Sequence, residues 1–352
     1  MDINNRLNPK FIPHSRPTLG PEEITAAAAV IESGHIAEGQ VVQEFEDAFA
    51  RKMDTKYAVA TSSGTAALHL TLLAMGIGTH DEVIMPSYVC AALLNAVRYV
   101  EALAVFAEID PLTYNIDPDD VKKRLTRRTK AIIVPHLFGL AADMEKLLGL
   151  NVPLIEDCAQ SVGAIFRNRP LGTFGDACIF SFYATKVITC GEGGMIICNS
   201  SKLADRIKDL KAYDQKDRYE TRFNYKMTDI QAAVGLAQFA KLDAFIQQRR
   251  TIAQKYFRAF RSLSLRLPAD DPAHIYYRFV VGLDTDSQPL ISKLLQTGIG
   301  CARPIYLPLH HCLKLTGYPI TDNAWRTSLS IPIYPSLSDQ DIQRVIEAIV
   351  GA

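Results

Sequence analysis

With 352 residues, 48% of them hydrophobic and 22% charged, the chain is long enough for a large core and about two domains. Lysine plus arginine balances the acids at 38 each, so the net charge is zero and neither nucleic acid nor an anionic membrane surface is favoured as a partner. No apolar run approaches the roughly 20 residues of a spanning helix, and MDINNRLNPKF lacks a signal-peptide core, so a cytoplasmic protein is expected. In chain order, residues 21–33 predict a helix with Pro21 in its first turn, and 43–52 a second helix carrying Phe45 and Phe49. A strand over 57–61 leads into Ser62-Ser63-Gly64-Thr65, which opens an apolar helix through Met75. Small residues there can simply cap the helix, or its unpaired N–H groups can hold an anion.

Strands follow at 83–85, 103–109 and 131–137, with a helix between Cys90 and Tyr99 and another starting at Asp117-Pro118. The basic stretches 124–130 and 208–222 carry interleaved acids or helical context and read as solvated faces. The run from Ile155 to Met195 is the centre of the chain. A short buried strand at 153–155 delivers Glu156, Asp157 and Gln160, and a strand at 177–182 is followed by Tyr183 and Lys186. The turn Gly191-Glu192-Gly193-Gly194 precedes a third strand at 195–198. Ligands of open α/β sheets sit beyond the carboxyl ends of strands, so Asp157 and Lys186 should share one crevice. A lysine that condenses with an aldehyde and an acid for a pyridine nitrogen together suit pyridoxal phosphate. The seven cysteines form no CxxC pair, and buried free thiols are expected rather than disulfides or a metal site.

Strand–helix alternation over 57–199 predicts a mostly parallel sheet covered on both faces. Thr228 and Gln231 form a capping box that starts a long helix, continuous or broken, towards Leu263. From Ile275 the pattern becomes a smaller α+β unit, with a strand at 276–283, a helix at 289–296 and a last helix capped by Ser338. The expected domains are 11–245 and 246–352.

EDCAQ, FSFYATK and GEGGM, in that order, resemble the sugar aminotransferases of the DegT/DnrJ/EryC1/StrS family, as do PHLFG, FNYKM and the segment ending in PLHH. The resemblance implies a fold-type-I transferase, with a three-layer α/β/α large domain and a smaller C-terminal α+β domain. It further implies a homodimer and pyridoxal 5'-phosphate as cofactor, cycling through pyridoxamine phosphate. Lys186 becomes the covalent and proton-carrying residue, Asp157 the partner of the ring nitrogen, and Gln160 that of the phenolic oxygen. Gly64, Thr65 and Ser181 take the phosphate, and Asn224 reaches it from the neighbouring subunit. Relatives stack an aromatic ring on the cofactor four residues after a proline. That position is Cys90 here, so its sulfur or the ring of Tyr88 takes the role.

His35, Tyr183, Arg303 and His310 are substrate candidates, each with a structural alternative. The implied reaction moves an amino group from an amino acid, glutamate being expected, to a keto-sugar nucleotide. ATKVITCGEGGM resembles the relatives that aminate C4 of 4-keto-6-deoxy sugars. A cyclitol or other ketone is the alternative acceptor, because no concentrated cation cluster for a diphosphate is evident. A non-catalytic scaffold is disfavoured, since folding does not demand Asp157, Gln160, Ser181 and Lys186 together.

Overall fold

The structure, a computed structural model, describes residues 10–351; most of the N-terminal stretch read for a signal core lies outside them. Two helices come first, α1 (Pro21–Ser33) and α2 (Gln40–Met53). The Glu23 carboxylate accepts the Gly20 N–H at 2.7 Å at the start of α1, with Pro21 in the first turn. Helical spacing lets α2 bury Val42, Phe45, Phe49 and Met53 on one face.

Strands and helices then alternate through β1 (Tyr57–Thr61), α3 (Gly64–Ala74), β2 (Glu82–Pro86), α4 (Ala91–Tyr99), β3 (Leu103–Ala107), α5 (Pro118–Arg124), β4 (Thr129–Pro135), α6 (Met144–Leu148) and β5 (Leu154–Asp157). A small hairpin, β6 (Ile165–Phe166) and β7 (Arg169–Pro170), precedes β8 (Ala177–Ser181), β9 (Gly194–Cys198) and α7 (Ser201–Leu210). Seven of these strands make one sheet in the order β1-β9-β8-β5-β4-β2-β3. β8, β5, β4, β2 and β3 run parallel, and β9 opposes both its neighbours. The expected mostly parallel sheet is present.

Alternation along each strand feeds two cores. Ala131 and Ile133 of β4 face one cluster, Ile132 and Val134 the other. Ile179 and Ile196 likewise part from Cys178, Phe180, Met195 and Ile197. Both faces are therefore buried, which is why the strands read as continuous apolar runs. Thr61 and Ser181 both pair with Gly194, so the ends of β1 and β8 meet the start of β9 on one rim, next to Asp157 at the end of β5.

The chain continues with α8 (Asp229–Ala240), α9 (Leu242–Phe260), β10 (Phe279–Gly282), α10 (Gln288–Gln296), α11 (Leu309–Cys312), α12 (Pro319–Thr327), β11 (Ser328–Ile331) and α13 (Asp339–Val350). The capping box forms as expected, with Thr228 and Gln231 exchanging bonds at 3.0 and 3.2 Å, but the helix breaks at Lys241. Leu242, Phe245 and Ile246 of α9 pack into the core beside the large sheet. Further along, Ile252, Ala253, Tyr256 and Phe260 pack into a separate core with β10, β11 and α13. A division at 245/246 thus falls inside one continuous helix that serves both bodies.

The strand expected over 276–283 is shorter because its beginning is used to dock the two bodies. Tyr276 is left-handed (φ 49), Ile275 donates to Gly139 O at 3.1 Å, and Arg278 donates to Phe138 O at 3.4 Å. Gly139 is required there: its φ is 96, and a Cβ would lie 2.6 Å from Ile275 Cγ1.

His274 stacks on Tyr276 at 4.1 Å and accepts its N–H at 3.0 Å. Burial pushes this imidazole down to about 3. A base whose pKa is lowered by folding contributes stability above its unfolded value of about 6.5, and loses it as pH falls towards the folded one. Over the full interval of about 3.5 units the loss amounts to about 5 kcal/mol at roughly 1.4 kcal/mol per unit. Urea stability measured between about pH 7 and pH 4 should therefore fall less steeply in His274→Asn than in the wild type.

Candidate active site

β5 ends in two adjacent carboxylates that the pleat sends to opposite faces. Glu156 is fully buried and accepts the N–H groups of Gly172, Phe174 and Gly175 at 2.7–2.8 Å. It also meets His136 Nε2 at 3.0 Å. His136 Nδ1 accepts the Ala142 N–H at 3.1 Å, so the ring proton sits on Nε2 and goes to Glu156. Both residues are occupied in holding loops, which leaves Asp157 as the carboxylate open to chemistry. One Asp157 oxygen accepts the Ala159 N–H at 2.9 Å. Burial pushes its carboxyl up, while that N–H, the Lys186 ammonium and His136 draw it back down.

Lys186 follows β8 in a turn closed by its own N–H donating to Tyr183 O at 2.8 Å. Among the described residues its Nζ makes no hydrogen bond or ion pair, and it lies 5.5 Å from the centre of the Tyr277 ring. The Cys90 thiol, at the N-cap of α4, is raised by burial, lowered by Lys186 and raised by Asp157. Loops after β2, β5 and β8 thus bring Cys90, Asp157 and Lys186 within electrostatic reach of one another.

The start of α3 closes the same rim. Ser63 caps the helix by accepting the Ala66 N–H at 3.1 Å, leaving the Gly64 and Thr65 N–H groups without helical partners. A Cβ on Gly64 would lie 2.8 Å from Ser181 Cβ, so the bare glycine lets the helix start sit directly against Ser181. Gln160 gives its carbonyl oxygen to the Phe138 N–H at 2.9 Å, and its NH₂ makes no hydrogen bond among the described residues.

Two expected site residues are placed elsewhere. Tyr88 is fully buried in the core, its ring 5.9 Å from Tyr114, whereas Cys90 is the residue of the two whose side chain feels Lys186 and Asp157. His310 is 1% exposed with both nitrogens engaged, Nδ1 with Ser87 Oγ at 2.6 Å and Nε2 with Asp322 at 3.0 Å. It stacks on Tyr318 and has no atom left for a substrate. Arg303 is held by Asp286 at 2.9 Å and lies 4.2 Å over the Trp325 ring. Tyr183 is 47% exposed after β8. His35 is exposed in a groove of about 770 Å³ between α1 and α2, which Lys186 and Asp157 do not line.

Asn224 is exposed, and its neighbour Tyr225 accepts the Ser62 N–H at 2.8 Å, which sets the segment beside the start of α3. The residue missed in the sequence is Tyr277. It lies in the smaller body, and only the docking of Ile275 and Arg278 onto the Phe138–Gly139 turn carries it to Lys186.

Pyridoxal phosphate fits these residues. Its aldehyde matches the unpaired Lys186 amine, its ring nitrogen the buried Asp157, and its phosphate the two open N–H groups above Ser181. The class of protein so defined is a pyridoxal-phosphate-dependent aminotransferase of α/β fold. Within that class the chain belongs to the DegT/DnrJ/EryC1/StrS aminotransferase family, whose model matches residues 17–350.

A GDP-perosamine synthase from Escherichia coli O157:H7 is 35% identical over 361 residues, covering 97% of this chain and 98% of that one. Among solved structures, S. venezuelae DesV is 31% identical with a TM-score of 0.89, over 96% of this chain and 98% of that one. A Streptococcus pneumoniae chain solved in PLP form is 25% identical with a TM-score of 0.91, over 96% of this chain and 97% of that one, and is also solved in PMP form.

Proposed function

We propose that this aminotransferase moves an amino group from glutamate to a keto-sugar nucleotide, with a 4-keto-6-deoxy sugar as acceptor. The observation that carries the reading is the likeness to GDP-perosamine synthase along nearly the whole of both chains. Support for a nucleotide comes from Lys216, Arg218 and Arg222, which line a surface hollow of about 370 Å³ with Tyr213, Tyr219 and Glu220, although Lys216 and Arg222 also pair with Asp209 at 2.9 and 3.1 Å. Cations with aromatic faces suit a diphosphate joined to a base.

When bound, pyridoxal phosphate supplies the electron sink that lets an amine-bearing carbon release a proton. The chain's own residues do the rest. Asp157 would hold the proton on the ring nitrogen, and Gly64, Thr65 and Ser181 would hold the phosphate. Gln160 would offer its NH₂ to the phenolic oxygen, with Cys90 beside the ring and Tyr183 at the approach. The Lys186 amine would carry the proton between donor and acceptor carbons. The experiment is to load the protein with pyridoxamine phosphate and screen keto-sugar nucleotides and cyclitol ketones for return of the visible band. A response confined to cyclitol ketones would replace this reading.

Asn224 completes the phosphate site from a second copy of the chain in a homodimer. Mixed dimers of Lys186→Ala and Asn224→Ala chains should recover up to about a quarter to a half of the activity, because one site per mixed dimer is intact. No recovery in confirmed mixed dimers would rule out sharing.

A further inference from the structure

The sequence assigned no work to the segment His274–Arg278, yet it delivers a tyrosine to the reacting amine. Tyr277 is 5% exposed, with Lys186 Nζ 5.5 Å and Arg278 Cζ 4.9 Å from its ring centre. Its hydroxyl meets Arg278 Nη2 at 3.5 Å and the Thr185 side chain. From behind, the buried Arg249 donates to the carbonyls of Tyr277 at 3.3 Å and Ile333 at 2.9 Å. The segment is further pinned by Ile275 on Gly139 and Arg278 on Phe138. This ring is therefore fixed from three elements, and its one side-chain bond toward the large sheet goes to Thr185, beside Lys186.

We propose that Tyr277 is a positioning residue for amino transfer: its ring seats the Lys186 amine, and its hydroxyl, held by Thr185 and Arg278, tunes the proton that amine must give up. The inference rests on Lys186 being the proton carrier and is independent of which ketone is the acceptor. An aromatic face holds an ammonium by cation–π attraction of about 0.5–2 kcal/mol. A carboxylate in the same place would grip the proton far harder, and the lysine could not release it.

The charged groups acting on the phenol are Arg278 from its own segment, Lys186 from the loop after β8, and Arg249 from α9. Burial raises the phenol, but these cations and the Thr185 bond outweigh it and bring it to about 8. Below that pH the neutral ring orients the amine. Above it the phenolate adds a negative charge beside Lys186 and keeps the proton on its nitrogen.

The holoenzyme tests this without any sugar. The visible absorption of the lysine-bound cofactor is followed from about pH 6 to about pH 10 in the wild type and in Tyr277→Phe, which keeps the ring and loses the hydroxyl. We expect the midpoint of the spectral change to fall by about one unit or more, the effect of removing a nearby opposite charge. Thr185→Val, which withdraws the bond that favours the phenolate, should move it the same way by less. An unchanged midpoint in Tyr277→Phe overturns the proposal, as does an unchanged midpoint in Thr185→Val if the tyrosine variant does not fold.

Discussion

Lys186→Ala should abolish glutamate-dependent turnover, by at least about 10⁴-fold, while leaving the chain folded. A positioned proton carrier alone accounts for about 10² to 10⁴. The same amine also makes the covalent link to the cofactor, so the upper end of that range is the floor here. Folding should survive because Lys186 is only partly buried and its Nζ takes no hydrogen bond or ion pair among the described residues. The variant should also lack the visible band of lysine-bound cofactor. Full turnover with that substitution would remove Lys186 from the chemistry.

Asp157→Asn is the second large effect, and it should separate activity from stability. Two unit charges about 4 Å apart attract by roughly 4 kcal/mol at an effective dielectric of about 20. Losing that hold on the ring proton corresponds to a fall of about a thousandfold in turnover. Asparagine keeps the shape and can still accept the Ala159 N–H. Burial raises the Asp157 carboxyl in the folded chain, so its ionised form works against folding at neutral pH. The cofactor-free variant should thus unfold at higher urea concentration than the wild type while turning over far more slowly. Equal turnover in the two proteins would show that Asp157 does not hold the ring.

The half of the site that lies on the large sheet could be read from the chain, because strand ends announce themselves. Asp157 closes an apolar run, Ser181 and Lys186 follow another, and Gly64 opens a helix after a third, so topology alone brings them to one rim. The choice between Cys90 and Tyr88 stayed open in the sequence because Ser87, Tyr88, Val89 and Cys90 follow β2 in close succession, and spacing does not say which side chain turns inward. The Tyr88 ring packs beside Tyr114, while the Cys90 thiol turns toward Lys186 and Asp157.

His310 looked available for a similar reason. Its partners, Ser87 and Asp322, are 223 and 12 residues away, and neither is marked by any local pattern. Tyr277 was illegible for the complementary reason: its position depends on a docking contact between bodies, not on the periodicity of its own segment. The late start of the strand expected from Tyr276 belongs to the same class, where tertiary packing overrides a continuous local signal.

One residue at the seam has a mechanical consequence. Phe138 gives its N–H to Gln160 and accepts the Arg278 N–H on its carbonyl, so this residue, held at φ 59 and ψ 8, ties Gln160 to the segment leading into the smaller sheet. A displacement of the smaller sheet would therefore be transmitted through this one residue to the Gln160 carbonyl.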